Sequence, residues 1–289
     1  MLRRRAALAL LLGAAAGAAA LAAEVGHAQG GGQTPKRRRG YVVVGVPLWI
    51  PPFGAPARAG GWTGLDVALA RGVAGVLFGN PERAHLLPLQ PSQRLWAVTS
   101  GAAQVVAAAY AAPGDVAPRL PAGVRAVGPY YSEPVALMVR RGRPVAAWRD
   151  LDGEIVGLLP GAAGAGALRE AAAAAGASPV LEEETAPGRA AADLALGRLR
   201  ALLGGAAACR ALAAYDPELR VEVAPAFGRQ SYWALVGAAE PDVEAAVRRA
   251  IEALPRGPAL ATDLRAWAVA ATGPPGPRPP LLTPPPAGA

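Results

Sequence analysis

The sequence predicts an α/β fold with two lobes, which two crossover strands connect. Its 289 residues are long for a single core and sufficient for two. Short β-branched segments alternate with longer segments of helical periodicity, the pattern of a parallel sheet covered by helices. This alternation occurs in two successive sets, and a last strand with its helices follows a second connection. The chain is therefore expected to leave the first lobe, build the second and return.

The first part of lobe 1 is predicted over residues 41–131. Residues 41–46 read Tyr-Val-Val-Val-Gly-Val, a continuous apolar run typical of a buried strand. A helix is expected to begin at Leu65, because apolar residues then recur at helical spacing as far as Leu77. The next predicted elements are a strand at 84–87, a short helix at 92–100 and a strand at 104–109.

Lobe 2 is predicted over residues 132–230, and residues 231–272 are expected to return to lobe 1. The predicted strands of these two parts lie at 135–139, 155–159, 199–203, 219–223 and 232–236. The predicted helices lie at 164–175, 188–197 and 241–254. The last helix is the clearest, because Val243, Val247 and Ile251 lie on one apolar stripe.

The two termini have the composition of segments outside a folded core. Residues 1–28 are predicted to be a cleaved signal peptide, because three arginines precede an apolar run at 6–23 and small residues stand before the cleavage point. An uncleaved membrane anchor is the alternative, since about 18 apolar residues can just span a bilayer. The abundance of Ala and Gly favours cleavage and hence a periplasmic protein. Residues 29–40 are predicted to be a basic Gly-rich linker, and residues 273–289 a disordered Pro-rich tail.

The positive charge of the chain is concentrated before its body. The formal net charge is +8, but seven basic residues and one acidic residue lie before residue 40, which leaves +2 for the rest. A nearly neutral body offers little surface for neutralising phosphates, and no nucleic-acid-binding motif is present. A nucleic-acid partner is therefore not expected.

Catalytic and metal-binding chemistry is not expected either. The single cysteine, Cys209, stands in an apolar helical context and is predicted to be an inert buried thiol. His85 is predicted to pack in the core, and the acidic run 182–184 to form a solvated face. The sequence has no metal-ligand spacing, nucleophile motif or phosphate-binding glycine loop. It predicts a protein that is not an enzyme and that uses neither cofactor nor metal.

Six sequence blocks occur in the order typical of one family. They are the strand and loop at 41–53, Gly-Trp-Thr-Gly-Leu-Asp at 61–66, the segment 86–101, Gly-Pro-Tyr-Tyr at 128–131, Trp-Arg-Asp-Leu-Asp-Gly at 148–153 and Ser-Tyr-Trp at 231–233. Their order resembles the periplasmic amino-acid-binding family, the extracellular solute-binding proteins of polar amino-acid ABC transporters, over about residues 41–270. The resemblance implies a two-lobed, type II periplasmic binding protein-like fold with two crossover hinge strands, near residues 131–135 and 229–233.

The resemblance also implies a ligand site between the lobes. Arg94 falls where glutamate- and aspartate-binding members place an arginine for the ligand carboxylate; a solvated arginine at a helix start is the alternative. Gly161 matches a lobe-2 loop at a helix N-terminus, where backbone N–H groups favour an anion. The candidate ligand-binding residues are Trp49, Phe53, Arg94, Tyr110, Arg119, Tyr130 and Gly161.

The chain departs from the family at positions that hold the backbone of an amino acid. The family's Thr-x-Thr-x-x-Arg after the third strand is missing, and Arg119 falls only roughly in its register. Gly205 stands where the family has an aspartate for the ligand ammonium. An ammonium buried there would lack its counter-charge, at a cost on the order of several kcal/mol. A standard α-amino acid is therefore not the favoured ligand.

The expected function is the capture of a small polar or carboxylate-bearing, amino-acid-like molecule. The protein would act as a periplasmic monomer and deliver this molecule to an ABC permease in the inner membrane, a step implied by the resemblance alone. The alternative is a degenerate solute-binding fold that acts as a non-transport accessory or interaction protein. The missing Thr, Arg and Asp positions favour the alternative, and the retained hinge blocks favour transport.

Overall fold

A computed structural model describes residues 40–214, 216–223 and 227–272. The predicted signal peptide, residues 29–39 of the predicted linker and the predicted Pro-rich tail lie outside the described residues. The strands are β1 Val42–Pro47, β2 Ala55–Pro56, β3 Trp62–Thr63, β4 Ala84–Leu89, β5 Val105–Val106, β6 Ala111–Pro113, β7 Val124–Arg140, β8 Ile155–Leu158, β9 Val180–Glu183, β10 Ala201–Gly205, β11 Leu219–Val223 and β12 Arg229–Gly237. The α-helices are α1 Leu65–Phe78, α2 Arg94–Thr99, α3 Ala165–Ala174, α4 Pro187–Ala195, α5 Ala206–Ala213, α6 Pro241–Ala253 and α7 Gly257–Thr272.

The strands of lobe 1 lie in the order β4-β1-β5-β12, and β6 also pairs with β12. Strand β1 runs parallel to both β4 and β5. Parallel strands end at the same edge of a sheet, so the loops that follow β1, β4 and β5 meet there. The strands of lobe 2 continue in the order β7-β10-β8-β9, with β8 parallel to β9 and β10.

Strands β7 and β12 are the two crossover strands. The first part of β7 pairs with β12, and its last part pairs with β10 and β11. Within the paired segment, Tyr131 lies opposite Tyr232, and Glu133 lies opposite Gln230. The α/β fold with two lobes and two crossover strands is thus confirmed.

The core of lobe 1 lies between its sheet and helices α1 and α6. Apolar positions at three- and four-residue spacing make each helix amphipathic, and both helices turn these positions towards the same interior. Gly72 of α1 lies against α6, where an added Cβ would be 3.2 Å from the Cβ of Ala250. The buried residues of the two helices are Leu65, Asp66, Val67, Leu69, Ala70, Val73 and Ala74 of α1 and Val243, Ala246, Val247 and Ala250 of α6.

Local predictions differ from the structure at β7 and at His85. The strand predicted at 135–139 is the end of a strand of 17 residues, β7, because Pro129 and Pro134 resemble strand breaks in the sequence although the strand passes through both. His85 is exposed rather than packed in the core. It lies on β4, at the edge of the sheet, and stacks on Tyr41 with ring centroids 4.1 Å apart.

The structure confirms the predicted burial of Cys209. It is fully buried on α5. Burial raises the pKa of its thiol well above the ordinary value, so the thiolate that would act as a nucleophile is disfavoured.

Candidate ligand-binding site

The candidate site lies at the edge where the parallel strands of lobe 1 end. Arg94 follows β4 and Ala109 follows β5, so the topology brings both to this edge. Gly161 follows β8 of lobe 2 and has a φ of +82°. A Cβ added to Gly161 would lie 3.2 Å from the Ala109 carbonyl oxygen and 3.7 Å from Arg94 Nη1. The lobe-2 loop therefore lies directly against lobe 1 beside Arg94, and a glycine allows this approach.

Arg94 is buried at the start of α2, with 5% of its surface exposed. Its Nε and Nη2 are buried and make no hydrogen bond to any residue that the structure describes. Burial lowers the pKa of the guanidinium, and the electrostatic effects of Tyr130, Asp66 and Tyr110 oppose this shift. Arg94 is therefore not a solvated arginine. It is a desolvated cation with free donors.

Asp66 is a fully buried carboxylate beside Arg94. It accepts hydrogen bonds from the Ala109 N–H at 2.7 Å and from the Tyr130 hydroxyl at 2.8 Å. Burial raises its pKa to about 7, and these two hydrogen bonds act in the opposite direction. The bond to Ala109 holds a non-glycine residue at a φ of +50°. Asp66 thus ties helix α1 to the loop after β5 and to strand β7.

Aromatic side chains form one wall of the site. Phe53 is fully buried, and its ring lies 4.3 Å from that of Tyr232 and 5.9 Å from that of Tyr131, between centroids. The ring of Tyr130 lies 6.3 Å from that of Tyr232. These separations are typical of packed aromatic pairs.

A second buried carboxylate, Glu133, lies on the crossover strand β7 and is 2% exposed. Its Oε1 accepts from the Tyr232 hydroxyl and its Oε2 from the Ala207 N–H, both at 2.5 Å. Gln230 donates in turn to the Tyr232 hydroxyl. Burial raises the pKa of Glu133 to about 7. A Cβ added to Gly205 would overlap Glu133 Oε1 and the Tyr232 hydroxyl, so these groups occupy the space beside Gly205.

Two backbone donors after Gly161 are already used within the protein. The Ala162 N–H donates to the Leu159 carbonyl at 2.9 Å, and the Ala163 N–H donates to Gln230 Oε1 at 3.1 Å. The expectation that the amides of this loop await an anion is wrong at these two positions. Arg94 Nη1 lies near Gly161, and Nε and Nη2 of the same guanidinium have no partner among the described residues.

The structure brings some of the predicted site residues together and leaves others apart. Arg94, Tyr110, Tyr130 and Gly161 are neighbours, and Phe53 joins them through the aromatic wall. Trp49 is half-buried and packs against the apolar core after β1. Arg119 is exposed on the segment between β6 and β7, away from these contacts.

Sequence reasoning did not select four polar residues of the site: Asp66, Glu133, Gln230 and Tyr232. Asp66 ends the Gly-Trp-Thr-Gly-Leu-Asp block, and an acid among apolar helix positions is an available indication. Glu133 follows the Gly-Pro-Tyr-Tyr-Ser run. Its partner Tyr232 is 99 residues distant in the chain, so only the fold reveals the contact.

Within the described ranges, no helix has the length and apolar character needed to cross a membrane. The same residues include no group of three or more His, Cys, Asp or Glu side chains placed to hold a metal ion.

The chain is similar in sequence to an amino-acid receptor. Over 70 residues it is 33% identical to the general L-amino acid-binding periplasmic protein AapJ of Rhizobium johnstonii, a match that covers 24% of this chain and 20% of that protein. The match thus spans about a fifth of the relative's length. No protein-family model matches the chain.

The fold is similar to solved structures over most of the chain. The solute receptor for L-cysteine of Neisseria gonorrhoeae superposes with a TM-score of 0.65 at 19% identity, over 82% of this chain and 93% of that one. The amino acid ABC transporter substrate-binding protein AbpA of Streptococcus pneumoniae, bound to L-arginine, gives 0.64 at 19% identity, over 81% and 97%. The chain therefore has the type II fold of the periplasmic amino-acid-binding proteins, and its predicted resemblance to that family is confirmed.

Proposed function

We propose that this protein captures a small, carboxylate-bearing, amino-acid-like molecule between its two lobes in the periplasm. It would act as a monomer, without catalysis, and deliver the molecule to an ABC permease in the inner membrane. The names of its relatives, a general L-amino acid-binding periplasmic protein and an L-cysteine receptor, support this class of function.

The buried guanidinium of Arg94 is the observation that carries the proposal. A desolvated cation without a hydrogen-bonded anion is costly, on the order of several kcal/mol. A carboxylate placed against Nε and Nη2 would form charge-assisted hydrogen bonds, which are the stronger class. The aromatic wall would exclude water from this contact and strengthen it further.

We also propose the division of the chain into lobes that the sequence suggests. The lobe-1 segments would be 41–131 and 231–272, with lobe 2 between them at 132–230. Glu133 of β7 and Gln230 of β12 pair with each other just inside the proposed boundaries of lobe 2. A hinge at these boundaries would therefore move β7 and β12 together.

Calorimetric titration of amino acids, dicarboxylates and small amines, with Arg94→Met as the variant, tests the proposal. A ligand at 100 times its Kd should stabilise the wild-type protein by about 2.7 kcal/mol, visible as a rise in Tm. We expect Arg94→Met to lose this binding. The variant should fold at least as well without ligand, because it removes an unpaired buried charge.

Arg119→Met is the matched control, since it removes the same charge from an exposed position, and its affinity should equal that of the wild type. Binding that survives in Arg94→Met would contradict the assignment of the anion to Arg94. If no compound binds, the alternative of a non-transport accessory protein is favoured. The packing of Glu133 and Tyr232 into the space beside Gly205 is the observation that supports this alternative.

A further inference from the structure

The buried polar atoms without a partner indicate which chemical group the site can take. Among the described residues, the buried side-chain atoms that lack a hydrogen bond are all N–H donors, on Arg94, Arg200, Arg220 and Trp233. No carboxylate oxygen of these residues is among them. Arg94, which belongs to the candidate site, contributes two of the donors. A buried donor requires an acceptor, so the site is suited to an anion and offers no free acceptor to a cation.

Asp66 is the carboxylate that acts on Arg94. Its electrostatic effect favours the charged guanidinium. An α-amino acid carries its ammonium on the carbon next to the carboxylate, so a carboxylate bound to Arg94 would bring the ammonium close to the same guanidinium. Two cations at such a distance repel each other unless an acid compensates both. Asp66 is the acid in position to do so.

Tyr130 and Ala109 already occupy this acid. Asp66 Oδ1 accepts from the Tyr130 hydroxyl at 2.8 Å, and Oδ2 accepts from the Ala109 N–H at 2.7 Å. Asp66 is fully buried, and Tyr130 is 7% exposed. A ligand ammonium would have to compete with the Tyr130 hydroxyl for Oδ1 in a region that the protein has desolvated, without recovering its own hydration.

Glu133 offers no alternative acceptor. Its Oε1 accepts from the Tyr232 hydroxyl and its Oε2 from the Ala207 N–H, both at 2.5 Å. The space beside it is also filled, because a Cβ added to Gly205 would overlap Glu133 Oε1 and lie 2.7 Å from Gln230 Nε2. Both buried acids are thus used to connect parts of the protein.

We propose that Tyr130 determines specificity by occupying Asp66, so that the site takes a monocarboxylate without an α-ammonium group. This inference rests on the proposed function and narrows it to carboxylates with an uncharged body. The carboxylate would accept from Nε and Nη2 of Arg94, and the body would pack on the aromatic wall that includes Phe53. A second negative charge on the ligand is disfavoured by Asp66 beside Arg94.

Pairs of compounds that differ only in the α-amino group test this inference by calorimetry. The pairs are L-alanine with propionate, L-leucine with 4-methylpentanoate, L-phenylalanine with 3-phenylpropionate, L-cysteine with 3-mercaptopropionate and L-glutamine with glutaramate. In the pair that binds best, we expect the wild-type protein to bind the amino acid at least about tenfold more weakly, because its ammonium loses water and gains no free acid.

The variant Tyr130→Phe keeps the ring and removes the hydroxyl that occupies Asp66 Oδ1. We expect the tenfold preference against the amino acid to shrink to less than about threefold. Tyr41→Phe is the matched control, because Tyr41 precedes β1, at the end of the strand opposite the site, and stacks on His85. It should leave the preference unchanged. Circular dichroism and Tm of each variant establish that it is folded.

The outcomes separate this inference from the proposed function. Equal or tighter binding of the amino acid by the wild-type protein overturns the inference and needs no variant, and loss of that binding in Arg94→Met leaves the proposed function standing. A preference that is unchanged in folded Tyr130→Phe overturns the role of Tyr130. If no member of any pair binds the wild-type protein, the inference is wrong, and the proposed function then depends on the other compounds of its own titration.

Discussion

Asp66, Arg94 and Glu133 are the three buried charged residues at the candidate site. Each is no more than 5% exposed, so each charge has lost most of its water. Asp66 is compensated by two internal donors and serves the structure. Glu133 likewise accepts from one backbone N–H and one tyrosine hydroxyl, whereas Arg94 has two donors without a partner among the described residues. This difference separates two acids that connect elements of the fold from a cation suited to bind an anion.

Replacement of Asp66 by Ala tests its structural role. The change would leave the Ala109 N–H and the Tyr130 hydroxyl without an acceptor in a buried region. We expect the free energy of unfolding to fall by about 2–4 kcal/mol, measured by urea denaturation. Glu252→Ala on the exposed face of α6 is the control and should change it by less than about 0.5 kcal/mol. If Asp66→Ala lowered the free energy of unfolding by as little as the control, the structural role of Asp66 would be contradicted.

At the scale of elements, the crossover strands and the packing of α1 on α6 position the site. The sequence predicts both helices well, because their apolar stripes are long and regular. It predicts only part of β7, since prolines within an extended segment resemble breaks. The continuity of β7 matters for function, because it places Tyr130 beside lobe 1 and Glu133 beside lobe 2.

Two glycines of α1 give a matched test of helix packing. A Cβ at Gly75 would meet Pro81 at 3.8 Å, an ordinary contact, whereas a Cβ at Gly72 would meet Ala250 at 3.2 Å. Gly75→Ala should raise the free energy of unfolding by about 0.5–1 kcal/mol through helix propensity. Gly72→Val should lower it by about 1–3 kcal/mol, because the side chain would separate α1 from α6. If both variants changed the free energy of unfolding equally in urea denaturation, the close packing of α1 on α6 at Gly72 would be contradicted.

At the scale of the whole molecule, the buried acids determine how stability depends on pH. The pKa values of Asp66 and Glu133 rise from ordinary values of 3.8 and 4.5 to about 7 on folding. Between these values the folded chain binds more protons than the unfolded chain, so the free energy of unfolding falls as pH increases. We expect ligand-free protein to be more stable at pH 5 than at pH 8, as measured by urea denaturation.

The other described carboxylates whose pKa values are shifted do not reverse this trend. Asp115, Asp150 and Glu244 have lowered pKa values and lose their stabilising effect only below the window. Glu184 has a raised pKa and acts in the same direction as the buried pair. The double variant Asp66→Asn, Glu133→Gln should flatten the dependence between pH 5 and 8. A wild-type protein that gains stability over this range would contradict the prediction.

The amino-acid sequence by itself determined the α/β class, the two lobes, the order of most elements and the motifs around Arg94. These follow from periodicity and from short runs of residues, which are local properties. Only the tertiary structure decided which charges are buried together. Asp66 meets Ala109 and Tyr130 across 43 and 64 residues, and Glu133 meets Ala207 and Tyr232 across 74 and 99. Such contacts depend on strand register and side-chain direction, so Glu133 can fill the space beside Gly205 although no local pattern links the two positions.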